Sequence, residues 1–369
     1  MKCNRIRIRN FRNIVEADVS FDAGVNILAG ENAQGKTNLL EAIGYVSIGK
    51  SFRTAHDEEM IRLGEDCAEI SLDFSDSVRD QNLTVRMMPG RRRKIEQNGV
   101  KLARVSDAVG IFRTVLFCPT HLALIREGPG ERRNFLDVAL SQLYPLYLRS
   151  LQTYNRVLKQ RNQLIRSAEE NPAAFRDTIE LWSGQLAHES AILSLYRSRY
   201  LELIRPAVRE CFFEMTAGRE EPELVYLPSV EQPNGDFEDT RRVEESYFER
   251  LMSKHDREIG AGTTLWGAHK DDVEIRLNQT AARSYASQGQ QRSLCLALKL
   301  AEGEVCRAVC GEVPAFLLDD VFSELDPTRR QYLAEKIVGR QVLITSCEPE
   351  KINAARVIRV ENGTYTPEG

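Results

Sequence analysis

The hydrophobic rhythm of the chain changes several times, and the changes divide it. At the start Ile6 and Ile8 alternate with Arg5, Arg7 and Arg9, the period-two pattern of a strand with one buried and one solvated face. Val25, Ile27 and Leu28 predict a buried strand that runs directly into Gly30, and a helical pattern follows through Leu39, Leu40, Ala42 and Ile43. Ala68 to Phe74 and Leu83 to Met87 read as further strands. From Glu131 the period lengthens: Leu136, Leu140, Leu143, Tyr147, Leu151, Tyr154 and Leu158 fall three or four apart, one apolar stripe on a helix that Pro145 is expected to kink. A second stripe runs through Phe175, Ile179, Trp182, Leu186, Leu193, Tyr196, Tyr200 and Leu203, and the break at Glu169 to Pro172 predicts an antiparallel hairpin.

Arg219 to Glu249 is acidic and holds Pro222, Pro228, Pro233 and Gly235, which predicts a loop-rich connection. Strand patterns return at Val273 to Leu277, Ala315 to Leu318 and Val342 to Thr345, separated by helices from Gly289 to Val309 and Thr328 to Val338. Such alternation predicts a mainly parallel sheet and an α/β fold. The expected organisation is a head built from both chain ends, residues 1–120 and 260–369, with a mainly helical arm, residues 121–259, inserted between them.

With 369 residues, 42% of them hydrophobic and 28% charged, the chain can bury a core and keep a solvated surface. No stretch offers the roughly 18 consecutive apolar residues of a membrane span, so a cytoplasmic protein is expected. The 8 cysteines are scattered, and the closest pair, Cys306 and Cys310, has no second Cys/His pair at metal spacing, so they read as reduced thiols. His56, His121, His188, His255 and His269 never fall four apart, which argues against zinc.

Gly30-Glu31-Asn32-Ala33-Gln34-Gly35-Lys36-Thr37 has the form G-x-x-x-x-G-K-[ST] between a strand and a helix. Backbone N–H groups of such a loop point at phosphate oxygens, Lys36 neutralises the outer phosphates, and the Thr37 hydroxyl is a ligand for Mg²⁺. Phe316 to Leu318 is an apolar run ending in Asp319 and Asp320. Alone it equally describes a strand followed by a helix cap; beside a phosphate loop, Asp319 is assigned to the metal and Asp320 to polarising the attacking water. Ser287-Gln288-Gly289-Gln290-Gln291-Arg292 precedes a helical run, where hydroxyl, free N–H groups and helix dipole suit an anion.

These motifs, with Asn10-Phe11-Arg12-Asn13, Gly49 to Arg53, Gly128 to Asp137 and Ser323-Glu324-Leu325-Asp326, make the chain resemble the ABC-type ATPases of the SMC-like branch, and within it the RecF family of bacterial recombination mediators. The block Trp266 to Asp272 resembles that family's G-P-H-R-D-D with Ala268 for Pro and Lys270 for Arg. The resemblance implies ATP and Mg²⁺ as cofactors, with Gly30 to Thr37 and Arg12 at the nucleotide. It implies a homodimer in which Ser287, Gly289, Gln290 and Arg292 reach the partner's nucleotide and Asp326 lies at the interface. It further implies ATP-gated clamping on duplex DNA or single/double-strand junctions, slow hydrolysis, partnership with RecO and RecR, and help in loading RecA at gaps.

A formal net charge of −4 excludes a generally cationic DNA binder. Arg5, Arg7, Arg9 and Arg12, and Arg91-Arg92-Arg93-Lys94, are local clusters able to neutralise phosphates or, equally, to solvate a loop and a strand edge. Other readings are a chromosome-organising or nuclease-associated head, disfavoured by the short helical arm, a transporter subunit, and a scaffold with a degenerate site.

Overall fold

A computed structural model of the chain describes residues 1–232, 235–347 and 355–368, so Pro233 lies outside the described residues. The chain divides into two compact units, Met1–Leu122 with Glu210–Arg219 and Gln288–Gly369, and Ala123–Arg209 with Glu220–Ser287.

In the first unit the opening alternation becomes the strand Lys2–Phe11, paired antiparallel with Ile14–Ser20 on one side and Ala68–Ser75 on the other. Asp80–Met87, Lys94–Gln97 and Val100–Lys101 complete this sheet. A second sheet is ordered Thr364–Pro367, Arg356–Glu361, Val25–Ala29, Val342–Ser346, Ala315–Asp319, Thr114–Phe117. All its neighbours run parallel except the outermost pair. Its four inner-to-far strands are buried at every position, which is why they read as unbroken apolar runs. The helix Lys36–Ile48 is buried on nearly all sides, and Leu39, Leu40, Ile43 and Val46 join one core with residues of both sheets. A helix held this way fixes the loop before it at the carboxyl end of Val25–Ala29, where open parallel sheets bind ligands.

The second unit corrects several expectations. Pro145 does not kink a helix: Pro129–Leu143 ends, Tyr144 is extended, and Pro145 opens a new helix, Pro145–Arg166. A first-turn proline loses no hydrogen bond and forces the preceding residue out of the helical region. This helix and Pro172–Thr216 do form an antiparallel hairpin, since Tyr147 meets Arg197, Arg161 meets Ser183, and Ile165 clusters with Ile179.

The segment from Arg219 to Glu249 is loop only in part: its middle is irregular, but a strand and a helix flank it. Pro222–Leu227 is a strand and Thr240–Ser253 a helix capped by Asp239, whose carboxylate accepts from Arg242 N at 3.2 Å. Pro222 is tolerated as a first strand residue, where no ladder N–H is needed. The strand Asp272–Leu277 pairs antiparallel with Pro222–Leu227 and with Thr280–Ala281, and so has no place in the parallel sheet.

The stretch from 260 to 287 accordingly packs with the second unit instead of the first. Asp271, fully buried, accepts from Tyr226 Oη at 2.6 Å and Ser229 N at 2.7 Å, while Arg132 binds Asp272 through two bonds of 2.8 and 3.0 Å. Burial lowers the His269 pKa to about 4, so the ring is neutral between Tyr154 Oη at 2.6 Å and Thr264 O at 3.1 Å. The block Trp266 to Asp272 is thus a hydrogen-bonded hub of its own unit.

Candidate nucleotide-binding site

Two glycines shape the loop for different reasons. At Gly30 a Cβ would lie 2.3 Å from Val360 O, so backbone approach excludes any side chain. Gly35 has φ of 113°, a region that favours glycine. Lys36 reaches back over the loop, and its Nζ donates to Gly30 O at 2.6 Å and Glu31 O at 2.8 Å. The far flank is stitched to the last hairpin: Gln34 Oε1 accepts from Asn362 N at 2.6 Å, Gln34 O from Gly363 N at 2.8 Å, and Gly35 O from Tyr365 Oη at 2.9 Å. Burial pushes the Tyr365 phenol up, so it keeps the proton it donates. A cavity of about 470 Å³ opens beside this flank, lined by Gly30, Glu31, Gln34, Cys347, Arg359 and Glu361.

The acidic pair arrives from the neighbouring strand but one. Thr37 Oγ1 donates to Asp319 Oδ1 at 2.7 Å across 282 residues, and Thr345 Oγ1 donates to the same oxygen at 2.8 Å. A buried carboxylate and a hydroxyl at the first turn of a phosphate-loop helix are hard oxygen donors of the kind Mg²⁺ prefers. Asp320 sits just beyond, its N–H on Thr345 Oγ1 at 2.9 Å and its φ at 51°, a strained value for a residue other than glycine.

The sequence reading passed over Glu41. Its carboxylate is fully buried and gathers Arg12 Nε at 3.0 Å, Arg12 Nη2 at 2.7 Å, Arg53 Nη1 at 3.2 Å and Ser51 Oγ at 2.5 Å. Arg12, expected at the nucleotide, spends its guanidinium on this carboxylate and on Glu59 O at 2.8 Å. Glu41 therefore locks Asn10 to Asn13 and Gly49 to Arg53 to the helix that follows the loop. The available signal was the one carboxylate of this helix, set within an apolar stretch four residues after Thr37.

Ser287 is the last residue of the second unit, and Gln288, Gly289, Gln290 and Arg292 open the helix Gln288–Cys310 of the first. Arg292 Nη2 donates to Glu324 at 2.9 Å, and Arg329 Nε donates to Ser293 Oγ at 2.6 Å while its Nη1 pairs with Asp326. Arg329 thus ties the start of this helix to the Asp326 turn. Partial burial opposes it, but the Arg329 N–H and guanidinium hold the Asp326 pKa below the usual carboxylate range.

The basic clusters fare unequally. Arg5 pairs with Asp18 and Arg7 with Asp73, and Arg9 stands opposite Glu16 and Glu69 in register, so this sheet face is charge-balanced. Arg93 is a structural pin, bound to Tyr45 Oη at 2.5 Å, Gly49 O at 2.7 Å and Asp57 at 2.8 Å. Arg91, Arg92 and Lys94 are exposed, in the turn before the strand Lys94–Gln97 and at its first residue.

Among the described residues no helix is long and apolar enough to cross a membrane. A family model described as the RecF/RecN/SMC N terminal domain matches residues 2–365. The DNA replication and repair protein RecF of Clostridium acetobutylicum is 36% identical over 368 residues, covering 98% of this chain and 99% of that protein. Its namesake from a strain of Bacillus cereus is 36% identical over 371 residues, covering 99% and 98%. The solved structure of the recombination mediator protein RecF-ATPrS in the RecFOR pathway superposes with a TM-score of 0.94 at 31% identity, covering 100% of this chain and 98% of that one. The Smc head bound to the C-winged helix domain of ScpA, 16% identical with a TM-score of 0.58 over 100% of this chain and 97% of that one, shares the fold. With a phosphate loop, an acidic strand end and near-full-length relatives in agreement, the chain belongs to the RecF family of ABC-type, SMC-like ATPases.

Proposed function

We propose that this protein is an ATP-gated DNA clamp acting in recombinational repair and replication restart. The observation that supports it most is the convergence of Lys36, Thr37, Asp319, Thr345 and Asp320 at the carboxyl ends of neighbouring parallel strands. Thr37 and Asp319 would hold Mg²⁺, which when bound screens phosphate charge. Lys36 would bind the outer phosphates, and Asp320 would orient and deprotonate the attacking water. Ser287, Gly289, Gln290 and Arg292 would contact the γ-phosphate of a second copy, with Asp326 at that interface. Binding energy realised only in the pair makes ATP shift monomers towards dimers, and slow hydrolysis releases them. RecO and RecR are the proposed partners and RecA the recombinase loaded at gaps, in keeping with the pathway named for the solved relative.

Sedimentation tests the gate. Wild type is expected to dimerise with ATP, and Ser287→Arg to keep ATP affinity within about twofold while losing nucleotide-driven association, because a bulky cation displaces the hydroxyl from the partner's phosphates. Association of Ser287→Arg equal to wild type would overturn the arrangement.

For DNA, the exposed turn carrying Arg91, Arg92 and Lys94 is the proposed phosphate contact. Arg91→Glu with Arg92→Glu is expected to flatten the slope of log affinity against log salt by about two, roughly one per lost contact. The same change at Arg5 and Arg7, already paired, should leave the slope nearly unaltered. Duplex titrations from low to moderate salt read both.

A further inference from the structure

The helix Pro145–Arg166 contains no aspartate or glutamate. Its apolar side, with Tyr147, Tyr154, Val157 and Ile165, is buried in the second unit. Arg161, on that same side, is spent on Glu258 at 2.6 Å and Thr264 Oγ1 at 2.9 Å. At 3.6 residues per turn, Arg149, Gln152, Arg156, Lys159, Gln163 and Arg166 fall within about 100° of one another on the opposite side. From Arg149 to Arg166 every exposed residue is Arg, Lys, Gln or Asn. Among the described residues no carboxylate pairs with Arg149, Arg156 or Lys159, and Arg166 donates to a neutral group, Gly262 O, at 3.3 Å. The helix dipole accounts for Arg166, which lies in the last turn, but Arg156 and Lys159, three apart, repel each other. Arg5 and Arg7, by contrast, each face a carboxylate.

We propose that this face is a second phosphate contact for duplex DNA, carried by the other compact unit from the turn at Arg91, Arg92 and Lys94. It rests on the reading of the protein as a DNA clamp and adds a surface to it. Arg149 to Arg166 spans about 25 Å along the helix axis. A duplex carries one negative charge per about 1.7 Å, so that length passes about fifteen phosphates, ample for four cations in any register. Contact therefore needs no particular base sequence. The Gln and Asn amides between the cations are further donors to phosphate oxygens. An acidic protein fits less well, because protein interfaces draw much of their energy from buried aromatic anchors, and this face exposes none. A membrane surface fits less well too: an interfacial helix sinks its apolar side into lipid, whereas here that side is packed inside the unit.

The test titrates a mixed-sequence duplex against the full chain with ATP at several salt concentrations. Combining Arg149→Gln, Arg156→Gln and Lys159→Gln is expected to flatten the slope of log affinity against log salt by about three, near 0.9 for each lost phosphate contact. Glutamine keeps the helix propensity, circular dichroism checks the fold, and ATP affinity should be unchanged. A control combining Arg176→Gln, Arg241→Gln and Arg242→Gln removes as much charge from exposed positions of the same unit and should keep the wild-type slope. A stripe variant with the wild-type slope would overturn the proposal while leaving the clamp reading intact. Equal flattening in the stripe and control variants would overturn it as well, since net charge alone would then explain the effect. Wild type that fails to retain duplex at any salt would sink the clamp reading itself.

Discussion

Lys36→Ala is expected to weaken ATP binding by about a hundredfold or more, read by calorimetry. Each charged hydrogen bond to a phosphate contributes about 1.5–3 kcal/mol, and a tenfold change corresponds to about 1.4 kcal/mol. The ammonium also closes the loop on itself, bonding Gly30 O and Glu31 O, so alanine removes both the phosphate's counter-charge and a brace of the loop. Loss of fold is a small risk because Leu39, Leu40 and Ile43, not Lys36, anchor the helix in the core. Nucleotide-driven dimerisation should vanish with the affinity. A variant that binds ATP as wild type does would mean that the nucleotide sits elsewhere.

Asp320→Asn is expected to lower turnover by about 10²–10⁴-fold while leaving ATP affinity nearly unchanged, the span typical of a lost general base. Asparagine keeps the shape, removes the proton acceptor and tolerates the left-handed backbone that Asp320 adopts at φ of 51°. If the pair dissociates only after hydrolysis, this variant should also remain dimeric long after ATP is added. Phosphate release and sedimentation measure the two effects separately. Turnover within a few-fold of wild type would assign water activation to another group.

What the sequence disclosed, and what it withheld, follows from the physics of each element. Val25–Ala29, Ala315–Asp319 and Val342–Ser346 were legible because both their faces are buried, leaving apolar runs that loops do not have. The strand–loop–helix turn at 30–37 was legible because its glycines answer a local geometric demand. Asp272–Leu277 was a strand in the wrong sheet, although its alternating burial already differed from the fully buried runs. Proline and acid density hid Pro222–Leu227, since composition does not say whether a proline's missing N–H falls at a strand start. Glu41 was hidden for another reason: Arg12, Ser51 and Arg53 meet only in three dimensions.

The hairpin behind the phosphate loop has a consequence for how the protein is made. Tyr365 supports Gly35 from 330 positions downstream, and Val360 presses on Gly30 from just as far. While the ribosome is still adding the helical unit, the loop has emerged without this support, and contacts of such sequence separation close late in folding. Nucleotide therefore cannot serve as an early template for the nascent chain; its site matures as one of the last acts of assembly.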